Sequence, residues 1–244
     1  MSFGQSPMVH VHGWCGDHRA MLPLARAFPS RAHLLIDLPG HGRSPRAPSL
    51  AIAAHAEAVL GLCPPGAVLL GHSMGAQVVL AAAAEAGPAR IAGAVLLEPA
   101  HILPTEGALA AGRSLAERLA AEEPAEVVRA FARAQLVGPP ADPAGYDALV
   151  EAMAATPAEV ARAQWREILA FAESGAAARA LAAVDVPVLV IGCARPVNRL
   201  SDLARANRRV LTGQVAGSGH MVQWEVPDQL VPMIRRWLRL TGIA

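Results

Sequence analysis

Gly71-His72-Ser73-Met74-Gly75 is the stretch that decides the fold of this 244-residue chain. It follows the apolar run Ala67-Val68-Leu69-Leu70 and precedes an alanine-rich stretch, residues 76–86. This order predicts a strand, a sharp turn and a helix, with Ser73 at the apex. The two flanking glycines suit a turn in which any Cβ would collide with neighbouring backbone. The pattern therefore predicts a nucleophilic serine whose oxygen stands clear of the sheet, beside the N-terminus of a helix.

Short apolar runs alternate with helical segments on both sides of this turn. Because such an alternation is typical of a parallel sheet covered on both faces, we predict an α/β fold of about six mostly parallel strands. Helices are expected at 18–28 and 49–61, after the serine turn, and at 228–240. The predicted strands lie at 8–12, 33–37, 67–70, 93–97, 187–191 and 209–212.

The long segment between the fourth and fifth predicted strands has a different character. It contains no strand-like run, and Thr105, Pro124, Pro143 and Pro157 mark the starts of four expected helices. Helices inserted here would lie over the carboxyl edge of the sheet, where α/β proteins bind ligands. We therefore predict a core of residues 1–100 and 184–244 and a helical cap of residues 101–183.

The composition narrows the functional class. Hydrophobic residues make up 53% of the chain and charged residues 17%, so a large core is available and disorder is not expected. A net charge of +1 lacks the basic excess of a nucleic-acid binder. Pro64-Pro65-Gly66 interrupts the uncharged stretch 58–84, which argues against a membrane span. The glycine-rich stretches do not open nucleotide-binding units, so we expect no cofactor.

The three cysteines, Cys15, Cys63 and Cys193, bear on metal binding and on the compartment. They are odd in number, show no metal-ligand spacing and follow no N-terminal signal pattern. We therefore expect no metal site and a reduced cytoplasmic setting. The partner expected for the protein is a small-molecule substrate.

Four motifs in this order resemble those of the α/β-hydrolase superfamily, and the resemblance covers nearly the whole chain. They are His12-Gly13-Trp14, the stretch Asp37-Leu38-Pro39-Gly40-His41-Gly42-Arg43-Ser44, the serine turn, and Gly217-Ser218-Gly219-His220. The resemblance implies an α/β-hydrolase fold with an inserted cap. Capped members of this superfamily include small esterases, enol-lactonases, carbon–carbon bond hydrolases and a pyruvate-eliminating synthase.

The resemblance also implies a catalytic triad. Ser73 is the expected nucleophile, and His220, in a glycine-rich loop after the last strand, is the expected base. The backbone N–H groups of Trp14 and Met74 are the expected oxyanion donors.

The position of the acidic residue of the expected triad departs from the commonest pattern of the superfamily. Arg195 stands where many relatives carry an aspartate after the penultimate strand, and a cation cannot stabilise an imidazolium. Glu98 ends the previous strand, at the position where haloalkane dehalogenases and zearalenone-type lactonases carry a glutamate. We predict Glu98 as the acid, with Asp202 as the alternative. A dyad without an acid, or a site that has lost hydrolysis, stays open.

A substrate pocket lined by apolar side chains is expected beneath the cap. Its predicted members are Trp14, Phe131, Leu136, Met153, Trp165, Ile168, Phe171 and Met221. The leading hypothesis is a serine hydrolase acting on a small, largely apolar ester, lactone or thioester through an acyl-enzyme. A lyase, a biosynthetic cyclase or a carbon–carbon bond hydrolase on the same triad is the first alternative. A non-catalytic ligand receptor is the second.

The N-terminal part of the sheet is expected to be shorter than in typical relatives. Only seven residues precede Met8, whereas the resemblance implies two antiparallel strands before the His-Gly loop. We therefore predict that this hairpin is missing, which would make 33–37 an edge strand. Because an apolar edge needs covering, a homodimer across it is a further hypothesis.

Overall fold

The computed structural model describes residues 5–243, and its centre is a six-stranded sheet. Every strand pairs in parallel with its neighbours, in the order β2-β1-β3-β4-β5-β6. The α/β fold and the number of strands predicted from the apolar runs are thereby confirmed. The strands are β1 (Met8–Val11), β2 (His33–Ile36), β3 (Ala67–His72), β4 (Ile91–Leu97), β5 (Val188–Gly192) and β6 (Val210–Gln214).

Helices cover both faces of this sheet and fill the segment between β4 and β5. A short 3₁₀ helix, His18–Met21, precedes the first α-helix. The α-helices are α1 (Leu22–Ala27), α2 (Ile52–Leu62), α3 (Met74–Ala86), α4 (Glu106–Ala121), α5 (Pro124–Ala134), α6 (Pro143–Ala154), α7 (Ala158–Glu173), α8 (Ala176–Ala183), α9 (Leu200–Ala206), α10 (Val222–Glu225) and α11 (Pro227–Thr241). No helix in the described range is long and apolar enough to cross a membrane.

The central strand β3 is buried on both faces because successive side chains point into two different cores. Leu69 belongs to the core formed with α2 and α3. Val68 and Leu70 belong to the opposite core, which contains Trp237 of α11. Burial on both faces explains why the strand reads as a continuous apolar run.

The insertion between β4 and β5 consists of α4 to α8. All four predicted starts lie at a helix N-terminus, since Thr105 caps α4, and α5 and α6 begin at Pro124 and Pro143. The fourth, Pro157, is the N-cap residue of α7. The expectation of four helices missed α8, which follows a left-handed glycine instead of a proline and packs against α3. The division into core and cap at residues 101–183 stays a prediction.

The strand β2 forms one edge of the sheet, and β1 pairs with β2 and β3. Among residues 5–243 no antiparallel strand precedes Met8 or extends this edge. Leu34 and Leu35 of β2 are half-buried. Dimerisation across this edge stays a prediction.

Candidate active site

Ser73 lies between the end of β3 and the start of α3, on a strained turn. Its φ of +55° falls in the left-handed region, which side-chain-bearing residues rarely adopt. A Cβ on Gly71 would overlap the Gly75 carbonyl oxygen, and a Cβ on Gly75 would overlap the Val11 carbonyl oxygen. The two glycines therefore permit the close approach of backbone that holds Ser73 at the carboxyl edge of the sheet.

The loop after β1 lies directly beside Ser73. A Cβ placed on Gly13 would lie 3.1 Å from the Ser73 Cβ. His12 shapes this loop: its Nδ1–H donates to the Gly13 carbonyl at 2.8 Å, and its Nε2 accepts from the Leu38 N–H at 3.0 Å. Burial lowers the pKa of His12 to about 4, so the ring is neutral and its tautomer is fixed by these two bonds.

The two predicted oxyanion donors are backbone amides without a protein acceptor. Neither the Trp14 N–H nor the Met74 N–H donates a hydrogen bond to any atom of residues 5–243. The Trp14 side chain, by contrast, packs against other side chains and has an acceptor for its indole N–H. Its indole N–H donates to the Ala161 carbonyl at 2.9 Å, and its ring meets Phe131 edge-on. Two buried amides without an acceptor beside a serine are suited to bind an oxygen that gains negative charge.

His220 is held in place through its backbone. Its N–H donates to the Gln135 carbonyl at 2.8 Å, and its own carbonyl accepts from His72 Nε2 at 2.9 Å. Because a carbonyl can only accept, His72 must carry its proton on Nε2. Burial, together with the neighbouring His220, lowers the pKa of His72 to about 3, so this donor persists at neutral pH. Sequence reasoning left His72 without a role.

Glu98 follows β4 and lies beside His220. Its Oε1 is 4.0 Å from His220 Nδ1, and its carboxylate is buried. The Cys193 N–H donates to Oε2 at 2.7 Å and the Val197 N–H to Oε1 at 3.0 Å. A φ of +38° turns the backbone of Glu98 into a strained conformation of the kind found at functional sites.

The alternative acid, Asp202, lies elsewhere. It is in the first turn of α9, more than one-third exposed, and pairs with Arg205 at 3.2 Å. Arg195 is exposed and has no ion-pair partner in the described part of the chain. The loop that contains it folds around the Glu98 carboxylate instead of supplying one.

The structure therefore brings Ser73, Glu98 and His220 to one edge of the sheet. The Ser73 N–H donates to the Leu97 carbonyl at 3.0 Å, which ties the serine to the strand that ends at Glu98. Ser73 and His220 line the same cavity of about 420 Å³. Cys193 does not compete as a nucleophile, because burial and the Glu98 charge raise the pKa of its thiol to about 12.

Two of the predicted pocket residues line this cavity, Phe131 and Trp165. Ile168, Met153 and Met221 are buried in the packing of the core. Trp14, Leu136 and Phe171 also lie outside the lining, although they contact the same core. The periodicity of a cap helix does not show which of its apolar faces meets the cavity and which meets another helix. Sequence reasoning missed the rest of the lining: Ala100, His101, Ala108, Ala111, Gly112, Ser114, Leu115, Arg118, Gln135 and Val197.

A second cavity, of about 580 Å³, lies between the 40–46 loop and the junction of α6 with α7. Asp17 and His18 line this cavity, and Asp37 lies near them. These carboxylates are already paired: Asp37 accepts from His18, and Asp17 from Arg19. Because hydrogen bonds outweigh the effect of burial, the pKa of Asp37 falls to about 2. Asp37 also accepts from the Arg43 N–H at 3.1 Å, so this cluster stabilises the 40–46 loop.

Sequence reasoning also missed Glu225. This residue connects the loop that contains His220, residues 217–220, to the inserted helices. Its Oε2 accepts from the Gly219 N–H at 2.8 Å. Its Oε1 accepts from the N–H groups of Val137 and Gly138, at 2.7 and 2.9 Å, in the loop after α5. One carboxylate thus fixes the residue before His220 against the segment that also holds the His220 N–H.

In the predicted serine hydrolase, Glu225→Ala should lower kcat by about tenfold or more, because three amides lose their acceptor and His220 loses its support. Kinetics on p-nitrophenyl butyrate and a thermal melt measure the two effects. Glu173→Ala is the matched control, since Glu173 pairs with Arg113 on the exposed face of the same insertion. A lowered melting temperature with unchanged kcat would show that Glu225 stabilises the fold without positioning His220.

This combination of fold and site defines a class of proteins. A parallel sheet with a serine on a strained strand-to-helix turn, an acidic side chain after a later strand and a histidine after the last strand defines the α/β hydrolases. The chain belongs to the alpha/beta hydrolase family, whose model matches residues 8–233.

Curated relatives are similar over limited parts of their own length. The bifunctional biotin biosynthesis protein BioHC of Cellvibrio japonicus is 25% identical over 248 aligned positions, which cover 97% of this chain and 48% of that protein. The pimeloyl-[acyl-carrier protein] methyl ester esterase of Serratia marcescens is 35% identical over 92 residues, covering 38% of this chain and 36% of that enzyme. The matches thus span less than half the length of either relative.

Solved structures show the same fold. A thermophilic esterase from Thermogutta terrifontis superposes with a TM-score of 0.78 at 24% identity, over 97% of this chain and 90% of that one. An esterase from Rhodococcus sp. ECU1013 gives a TM-score of 0.75 at 23% identity, over 96% and 90%. At these identities the likeness establishes the architecture alone.

Proposed function

We propose that this protein is a carboxylic-ester hydrolase that cleaves a small, largely apolar ester, lactone or thioester through an acyl-enzyme on Ser73. The observation that carries the proposal is the juxtaposition at the carboxyl edge of the sheet. A strained serine lies beside two buried amides without acceptors and shares a cavity with His220, and a buried carboxylate lies behind that histidine.

The roles follow from this arrangement. The His220 imidazole takes the proton of the Ser73 hydroxyl while Oγ attacks the substrate carbonyl carbon. The amides of Trp14 and Met74 bind the resulting oxyanion. The imidazolium then gives its proton to the departing alcohol or thiol. A water molecule repeats the sequence on the acyl-enzyme and releases the acid.

Glu98 orients His220 and stabilises its charged form in this scheme. The 4.0 Å between Oε1 and Nδ1 is longer than a hydrogen bond, and Oε1 also accepts from the Val197 N–H. Catalytic hydrogen bonds are often long without substrate and shorten in the reacting complex. A ring movement of about 1 Å would complete the contact.

The cavity indicates the size and polarity of the substrate. Its volume of about 420 Å³ and its walls of Phe131, Trp165, Leu115 and several alanines suit a short acyl chain. Helices α4, α5 and α7 supply much of this lining, so we propose that the 101–183 insertion acts as the cap that selects substrate. Three free, buried cysteines support a cytoplasmic location.

The proposal is tested with purified protein against p-nitrophenyl esters of increasing chain length and a panel of lactones. We expect turnover that is greatest for short acyl chains, and labelling of Ser73 by a fluorophosphonate. Trapping an acyl group on Ser73 by mass spectrometry would support the covalent route. Folded protein that hydrolyses none of these substrates and resists the label would contradict the proposal.

A further inference from the structure

His101 stands apart from the other buried histidines of the protein. Within residues 5–243, each of the others forms at least one hydrogen bond through its ring, whereas neither ring nitrogen of His101 forms any. The side chain belongs to a residue that is only 6% exposed, and its Nδ1 is completely buried. The partnered histidines are His10, His12, His41, His55 and His72.

This residue lies in the wall of the cavity that contains Ser73. The Ala100 N–H donates to the Ser73 carbonyl at 3.2 Å, which fixes the backbone next to His101 against the nucleophile. The His101 carbonyl accepts from the Gln77 side chain at 3.4 Å. The backbone is thus anchored on both sides, while the imidazole is left without a protein partner.

The groups around the His101 ring leave space for it but form no hydrogen bond with its nitrogens. A Cβ on Gly112 of α4 would lie 3.2 Å from His101 Nε2, so the glycine makes space for the imidazole. The Trp165 ring lies edge-on, with its centroid 6.5 Å away. Trp165 donates its own N–H to the Gly112 carbonyl, so it offers His101 no hydrogen bond.

The ring is neutral at physiological pH. Burial, helped by the nearby His220, lowers the pKa of His101 to about 4. A neutral imidazole offers one N–H donor and one lone pair, and buried polar groups in native proteins are almost always paired. An uncharged partner suits it, because a neutral ring in an apolar wall cannot compensate a buried charge. Arg118, the cation at this cavity, is already paired with Glu122.

We infer that His101 is a specificity-determining residue whose Nε2, the ring nitrogen that is not completely buried, forms a hydrogen bond with a hydroxyl or keto oxygen on the acyl group of the substrate. The inference rests on the proposed ester hydrolysis and narrows its substrate class to esters or thioesters of short hydroxy or oxo acids. We assign this hydrogen bond to the acyl group and not to the leaving group, because the acyl group stays attached to Ser73 in the cavity that His101 lines.

The test compares p-nitrophenyl butyrate with p-nitrophenyl 3-hydroxybutyrate, which differ by one hydroxyl and share a leaving group. We expect the wild-type kcat/KM to be at least tenfold higher for the hydroxy ester, because only that substrate pairs the imidazole. His101→Leu should bring the ratio of the two kcat/KM values close to one. His101→Gln, which keeps a donor and an acceptor, should restore part of the preference.

Ser114→Ala is the matched control, since Ser114 is another polar residue of the same cavity and its loss should leave the preference unchanged. A wild-type ratio near one would overturn the inference, even if a variant failed to fold. An equal loss of kcat/KM on both esters in His101→Leu would overturn it as well. A protein that labels at Ser73 and hydrolyses butyrate without preference would retain the proposed function and lose only this assignment. A protein with neither activity nor labelling would lose both.

Discussion

Ser73→Ala is expected to reduce ester hydrolysis by a factor on the order of 10⁴ or more while leaving the protein folded. The hydroxyl oxygen forms the covalent bond to the substrate in the proposed mechanism. Because the members of a triad act together, removing one of them abolishes most of the rate acceleration. The residual rate would come from the Trp14 and Met74 amides and from substrate binding. Steady-state kinetics on the best p-nitrophenyl ester measure the effect.

The fold should tolerate this change because the strain at Ser73 lies in its backbone. An alanine at a φ of +55° carries the same Cβ as serine, so the melting temperature should change little. Ser114→Ala is the matched control, because it removes a hydroxyl from the same cavity without touching the strand-to-helix turn. Turnover by Ser73→Ala above about one-tenth of the wild-type value would exclude Ser73 as the nucleophile.

Glu98→Gln is expected to lower kcat by about 10²- to 10⁴-fold, with a much smaller change in KM. A neutral amide cannot stabilise the imidazolium that forms on His220. Glutamine is chosen over alanine because its oxygen keeps an acceptor for one of the amides of Cys193 and Val197. Alanine would leave both amides without an acceptor and would confound catalysis with folding.

Asp202→Asn is the matched control for this prediction. Its carboxylate is on α9, paired with Arg205, so its loss should leave kcat within about twofold of wild type. Melting temperatures of both variants show whether each is folded at the assay temperature. Loss of turnover in Asp202→Asn, together with normal turnover in Glu98→Gln, would transfer the role of the acid to Asp202.

The positions of the strands along the chain could be predicted from local pattern. Each predicted strand overlaps an observed one, because strands buried on both faces read as short continuous apolar runs. Helix starts at Thr105, Pro124 and Pro143 were recognisable because a capping side chain or a proline at the first turn acts within a few residues. Helix α8 carries no such marker and was missed.

The pocket could be predicted only in part. Phe131 and Trp165 line the cavity, whereas Ile168, three residues after Trp165 on the same helix, is buried in the core. Small residues such as Ala111 and Gly112 form much of the wall, and nothing in their local sequence marks them as pocket residues.

The sequence alone determined the serine turn, the positions of the strands along the chain and the placement of Glu98 and His220 after strands. These features follow from periodicity and from glycine, which act over a few residues. Only the tertiary structure decided which carboxylate lies beside His220, that the amides holding Glu98 come from a loop 95 and 99 residues further along the chain, and that His101 faces the cavity without a partner. Such contacts depend on how distant segments pack, and the local pattern of side chains does not encode that geometry.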